Sequence, residues 1–322
     1  MSNDDQLKVR QTVSKKKSFK ELTIVRDIIF WIDLVGEGQN ENAIFARPFN
    51  EKEAFPQKLT SKKYNIKNNF HGYGGKSYKC IYLKNNFYLI WIDQITNAVW
   101  FQIFKEVASN YRSQKRYLDS VQEPRQLSKS IDGNFDSSFV ISQKNFLYGI
   151  CEINNRDYLF SLNLKKTKQD IYRIKKFKNF AGELSSNTSV SLLSWVEWDS
   201  PYMPWEKNDL CFAQIDLDGE ITKIKKFSDK LINAKKNVSF FQPYWISETL
   251  LVCSEDSSGW WNLLFLDASK IENIFIKKRV ERNFVEYGVP QWVSGITFFS
   301  GDIKDLFCLA KKENNLVVEQ YK

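Results

Sequence analysis

The side chains best able to do chemistry in this sequence crowd into one stretch, LLSWVEWDSPYMPWEKNDLCFAQID at residues 192–216. Glu197 and Asp199 flank Trp198. On a strand, residues two apart share a face, so these carboxylates could together hold a cationic group. Glu255 and Asp256 form a second acidic pair just ahead of SSGWWN at 257–262. Carboxylate oxygens at such positions also cap turns by accepting nearby backbone N–H groups, and both readings stay open here.

Catalytic residues are harder to find. A Ser/His/Asp triad needs a histidine to take the serine's proton, and the one histidine is His71, in NFHGYGGKSY. The Gly-x-Ser-x-Gly elbow needs small neighbours around a strained turn, and no two glycines stand four positions apart. One histidine and five scattered cysteines do not make the usual zinc spacings. GYGG is too short for a dinucleotide loop, and no complete Walker-type loop occurs. The sequence therefore predicts no metal, no cofactor and no catalytic residue on this chain.

The elements that must position these residues form a repeat. DYLFSLNL from Asp157, DLCFAQID from Asp209 and NLLFLDAS from Asn262 align without gaps, in steps of 209 − 157 = 52 and 262 − 209 = 53. Each is followed by a short run ending in Ile-Lys-Lys: IYRIKK at 171–176, ITKIKK at 221–226 and IFIKK at 274–278. DLDGE joins the two runs of the middle copy through the Asp-Gly pair of a tight hairpin. Weaker copies are AIFARPF (43–49), AVWFQIF (98–104) and DLFCLA (305–310), and another apolar run precedes each copy. A period near 50 built from short strands, with almost no helical periodicity, indicates radially repeated sheets. The predicted fold is all-β, a β-propeller with about six blades. A pair of β-sandwiches would not repeat the same strand ending at that interval.

The repeat also accounts for charge. A net charge of +9 could mark a nucleic-acid partner. The lysine doublets, however, fall at the end of each predicted outer strand, where lysine discourages edge-to-edge pairing. Aromatic residues lie within the strand runs and do not alternate with lysines as a single-strand binding groove would want, so the reading disfavours nucleic acid. At 322 residues with 43% hydrophobic content the chain can bury a large core. Residues 1–18 are expected to be a flexible tail, and 19–322 the propeller. No apolar run approaches the length of a membrane span, which predicts a soluble, cytoplasmic protein, its cysteines reduced and in the core.

Four stretches carry a family resemblance. FHGYGG looks like a His-Glu-Tyr-Gly-Gly loop, VEWDSPYMPWEKNDL like a Glu-Trp-Asp-x-Pro-x-Met-Pro-Trp segment, QPYWISETLLVCSEDSSGWWNLLFLD like a Gln-Pro-x-Trp…Gly-Trp-Trp-Asn-Leu blade, and EYGVPQWVSGITFF like a Pro-x-Trp-x-x-Gly segment. Together, over roughly residues 19–310, they resemble the propeller of the prolyl oligopeptidase family of serine peptidases, in its acylaminoacyl-peptidase and dipeptidyl-aminopeptidase-like branch. Gly72 departs from that pattern where the family has Glu, and EGQNEN at 37–42 keeps only part of its Glu-Gly-Gly-Arg turn.

The resemblance implies a seven-bladed pattern, here truncated, followed by an α/β-hydrolase domain that carries the nucleophile, acid and catalytic histidine. In such enzymes the propeller covers the active site and filters substrates, and its loops can contact the peptide. That is what it implies for His71, Trp198, Asp199, Met203, Pro204 and Trp205, with Tyr73 and Glu197 beside them in the same loops. Gly259, Trp260, Trp261 and Asn262 read instead as pins of a blade turn. The expected partners are peptides and a separately encoded α/β-hydrolase chain, with no membrane. The alternative is a stand-alone protein- or peptide-binding propeller, or a non-functional remnant.

Overall fold

The central strand of each repeat is apolar without interruption because it is covered on both faces. Phe87–Asp93 and Leu250–Glu255 are buried at every residue. By contrast the lysine-rich strands Tyr172–Lys176, Ile221–Lys226 and Phe275–Arg279 are mostly exposed, and each pairs with one neighbour only. These are the outer strands, where a lysine row guards an open edge.

The computed structural model describes residues 19–35, 41–51, 54–108, 116–227, 237–313 and 315–321. The predicted tail at 1–18 and most of the EGQNEN turn lie outside them. The chain is all-β, with six antiparallel blades of a β-propeller. Two compact units divide it, one of Met1–Asn68 with Lys76–Ser130, the other of Asn69–Gly75 with Ile131–Lys322.

The first unit holds two blades. Blade 1 runs Lys20–Val25, Ile28–Val35, Glu41–Pro48 and Gln57–Lys58, and blade 2 runs Tyr78–Leu83, Asn86–Asp93, Ala98–Ala108 and Arg116–Ser120, with Arg125–Gln126 added on Ala98–Ala108. Phe30 and Ile32 of blade 1 pack with Phe87, Leu89 and Trp91 of blade 2.

The second unit holds four. In blade 3, Gly133–Phe135 and Val140–Ile141 both pair with Phe146–Ile153, followed by Arg156–Asn163 and Tyr172–Lys176. Blade 4 is Phe180–Ser186, Leu192–Trp198, Asp209–Ile215 and Ile221–Lys226; blade 5 is Phe240–Trp245, Leu250–Glu255, Asn262–Asp267 and Phe275–Arg279. In blade 6, Val285–Glu286, Phe299–Gly301 and Asn315–Tyr321 all pair with Leu306–Lys312. Apolar side chains fill each seam: Tyr148 and Ile150 meet Leu193 and Trp195, Val196 and Phe212 meet Leu251 and Leu264, and Leu263 and Phe265 meet Val285 and Phe299. The DLDGE turn closes as the sequence suggests, with Gly219 at φ 90° and the Asp216 carboxylate accepting from the N–H groups of Asp218 and Glu220, both at 2.9 Å.

A polar device recurs at the innermost strands. Glu21, Glu183 and Gln242 each sit in a register shift of the first strand of their blade, at φ 53°, 59° and 53°. Such a β-bulge re-aims one side chain out of the pleat. Each then accepts a backbone N–H from the next blade: Glu21 from Ser77 at 2.5 Å, Glu183 from Gln242 at 2.7 Å, and Gln242 from Phe298 at 2.6 Å. Gln242 also accepts from Phe299 N–H and donates to Phe299 C=O at 2.6 Å. Replacing Gln242 by Ala leaves these groups unpartnered, at a cost of about 1–3 kcal/mol for each buried one. Urea unfolding of Gln242→Ala should show a lower midpoint with an unchanged slope.

Candidate functional site

The segment after Trp198 leaves blade 4 as a chain of tight turns. Tyr202 N–H bonds Asp199 C=O at 3.0 Å, Met203 N–H bonds the Glu206 carboxylate at 2.8 Å, and Glu206 N–H returns to Met203 C=O at 2.9 Å. Asn208, almost fully buried, fixes the far end. Its amide donates to Pro204 C=O and Phe240 C=O, both at 2.8 Å, and its oxygen accepts from Phe240 N–H at 2.7 Å. The loop is thereby tied to blade 5.

The FHGYGG loop belongs to the same unit. Phe70–Gly72 makes one 3-10 turn with His71 in the left-handed region, at φ 52°. Gly75, at φ 147°, bridges Ser294 so closely that a Cβ would stand 2.5 Å from its carbonyl oxygen, so only glycine fits.

Between these two loops and the 291–294 segment lies a cavity of about 260 Å³, walled chiefly by aromatic rings. Trp205 packs on Trp292 at 4.3 Å between ring centroids, and Tyr73 meets Trp292 edge-on at 5.9 Å. His71 stacks on Phe70 at 3.8 Å and stands edge-on to Phe180 and Trp198, which stack on each other at 5.6 Å. Of the residues singled out in the sequence, His71, Tyr73, Trp198, Met203, Pro204 and Trp205 line this cavity together.

Glu197 and Asp199 do not. They face a separate polar groove with Lys178, Asp209 and Lys226, and only Trp198 and Tyr202 belong to both. Each carboxylate already has a cation: Lys175 bonds Glu197 and Lys178 bonds Asp199, both at 2.7 Å, while Trp195 Nε1–H donates to Glu197 at 2.8 Å. Glu255 caps its turn by accepting from Ser257 N–H and faces Arg279 at 3.3 Å, whereas Asp256 reaches back to accept from Ser239 N–H, just ahead of Phe240–Trp245. In the GWWN stretch, Gly259 turns at φ 92° and Trp261 N–H donates to Glu286 at 2.5 Å. Trp260 packs on Phe284, while the buried Asn262 bonds Ser258 and Arg282 N–H. All five cysteines are buried and free, and burial pushes the Cys308 thiol up to about 12.

Two titratable groups of the cavity are held in unusual surroundings. His71 Nε2 bonds the Asp157 carboxylate at 2.8 Å. Asp157 is 1% exposed; burial pushes its carboxyl up despite His71 and the Ala181 N–H, and its Oδ1 has no hydrogen-bond partner. Glu183 lines the cavity floor, and burial, reinforced by Asp136, pushes it up to about 8. Sequence reasoning missed Glu183, Asn208 and the Phe180 and Trp292 walls. One signal existed: Glu-Leu-Thr at 21–23 and Glu-Leu-Ser at 183–185 repeat at the two bulges.

No protein-family model and no curated protein sequence matches the chain. Solved structures do. A puromycin-hydrolyzing peptidase from Mycobacterium tuberculosis superposes with a TM-score of 0.75 at 16% identity, over 95% of this chain and 45% of that one. Prolyl oligopeptidase B from Galerina marginata, bound to a 25-residue macrocyclization substrate, gives 0.56 at 12% identity, over 99% and 45%. The chain has the propeller fold of prolyl oligopeptidase-family peptidases. It spans less than half the length of those two enzymes. The β-propeller domain of the trilobed protease from Pyrococcus furiosus, described as an open velcro topology, matches with a TM-score of 0.53 at 7% identity, over 96% of this chain and 83% of that one. The chain carries its cavity on loops that leave the blades, the usual place for binding residues on a rigid scaffold.

Two substitutions test this construction. Asn208→Ala strands the buried Phe240 N–H, while Pro204 C=O keeps the Ser239 hydroxyl and Phe240 C=O keeps the Gln291 amide, so the change should cost about 1–3 kcal/mol, read from the unfolding midpoint. Glu183 has a folded value of about 8 against an ordinary 4.5, so its stabilising contribution is complete below 4.5 and is lost as pH rises through 8. Unfolding midpoints of Glu183→Gln should therefore fall less than those of the parent between pH 5 and 9.

Proposed function

We propose that this propeller is the non-catalytic part of a prolyl-oligopeptidase-like serine peptidase, covering and filtering access to an active site carried on a hydrolase domain or a separate hydrolase chain. The aromatic cavity on the second unit carries this reading. Its walls combine a large contact area with little side-chain entropy to lose, which suits capture of a peptide. Its rim is unusually apolar for a free surface: Tyr73 is 61% exposed and Trp292 52%. Exposed aromatic patches of this kind mark interaction sites.

In this reading His71, Tyr73, Trp198, Met203, Pro204 and Trp205 contact the peptide, and Glu197 and Asp199 stiffen the loop through their lysines. The outer-strand lysines serve as edge guards and ion-pair partners, as Lys226 does for Asp209. Five buried thiols suit a reducing compartment, and we place the chain in the cytoplasm. Among the described residues no helix is long and apolar enough to cross a membrane.

The test is affinity capture of the full chain from its native lysate, followed by assay of the recovered complex on aminoacyl- and acyl-peptide chromogenic substrates. Recovery of a serine hydrolase with peptidase activity is expected. Trp198→Ala and Trp205→Ala should each lower that activity by roughly 30-fold, the size of a buried aromatic anchor. A stable chain that captures no hydrolase and no activity overturns the reading in favour of a stand-alone binding propeller.

A further inference from the structure

The chain carries a net charge of +9, yet among the described residues no lysine or arginine lines the aromatic cavity. Its ionisable lining groups are Glu183, His71, Tyr73 and Tyr202. Glu183 uses Oε2 to accept the Gln242 N–H at 2.7 Å. Its other oxygen, Oε1, stays solvent-accessible where Glu183 lines the cavity. It is therefore open to the cavity.

Three features converge on one kind of ligand. The faces of aromatic rings attract cations, most strongly where water is excluded. A carboxyl at the floor supplies the opposite charge once it ionises. A second acid, Asp136, lies close enough to Glu183 to hold its proton on, and Asp136 is fully buried, accepting from the hydroxyls of Ser138 and Ser294. An incoming cation would relieve both carboxyls. A neutral apolar group would gain the walls and leave the floor unused.

We propose that the cavity is a receptor for an alkylammonium group, held among Trp198, Trp205 and Trp292 with its charge against Glu183. This deepens the peptide-binding reading of the same cavity, on which it rests. The cation loads as Glu183 releases its proton to solvent, so one positive charge enters as another leaves. The groups facing Glu183 are Gln242 and Cys253 on blade 5 and Asp136 within blade 3, and His71, paired with Asp157, lines the same cavity.

Tryptophan fluorescence of the full chain, titrated with choline and with its uncharged isostere 3,3-dimethylbutan-1-ol, tests the proposal. Choline should bind at least about tenfold more tightly, with affinity rising between pH 6 and 9. In Glu183→Gln the preference should shrink to about threefold or less and most of the pH dependence should vanish, whereas Trp205→Ala should weaken both probes. Equal affinity for the two probes overturns the proposal, as does a charge preference untouched by Glu183→Gln. Three peptides identify the source of the ammonium: trialanine amide with a free amino end, its N-acetylated form, and N-acetyl-lysine amide. Tighter binding of the first or the third assigns the group to the chain end or to a lysine side chain. If the acetylated trialanine binds as well as the free one and the lysine amide gains nothing, the cation proposal fails while the peptide reading stands; if no peptide binds, the peptide reading fails with it.

Discussion

The inner strand of a blade cannot be locked by apolar packing alone, because its first residues have no preceding strand in the same sheet to pair with. The bulge residues Glu21, Glu183 and Gln242 meet that constraint. Each gives up a regular ladder position and a favourable backbone conformation so that one side chain can reach an N–H of the following blade. A left-handed conformation costs roughly 1–2 kcal/mol for a non-glycine residue, and satisfying a buried N–H that would otherwise be orphaned offsets it. Apolar seams set how tightly the blades press together; the bulge bonds set their register.

Glu183 has two tasks because of where its blade stands. One oxygen belongs to the seam with blade 5, and its other side opens on the aromatic cavity. Blade 1 meets the same seam task with Glu21 and blade 5 with Gln242, so a carboxyl and an amide both serve it. Keeping a carboxyl at Glu183, beside the buried Asp136, is a departure from the cheapest structural solution. Departures of that kind cluster at sites that bind or react.

Much of the fold was legible because its signal is repeated. Strands buried on both faces read as continuous apolar runs, outer strands read as lysine doublets, and a spacing near 50 between copies leaves little room for another architecture. Only 16% identity to the mycobacterial peptidase suffices for the same fold, since the pattern constrains residue class far more than residue type. The site was half legible. Trp198, Met203, Pro204, Trp205, His71 and Tyr73 announced themselves by type and by resemblance, and they meet in one cavity. The acidic pair at 197 and 199 did not join them, because a lysine one blade away answers each carboxylate, and cross-blade partners cannot be read from local spacing. Glu183 was hidden for the complementary reason: in sequence it is one acid in a short polar strand, and only a bulge, invisible to period-2 reading, turns it inward.

The bulge bonds also run in one direction along the chain. The acceptors precede their donors by 56 residues at Glu21 and Ser77, by 59 at Glu183 and Gln242, and by 56 at Gln242 and Phe298. At ribosomal speeds of about 5–20 residues per second, each acceptor waits roughly 3–12 s for its partner. During that interval a finished blade presents a polar landing point to the strand still being made. Biosynthesis thus gives these seams a natural order from the amino end onward, and a chain rearranged to start elsewhere in the repeat would have to form the same bonds with donor and acceptor made in a different sequence.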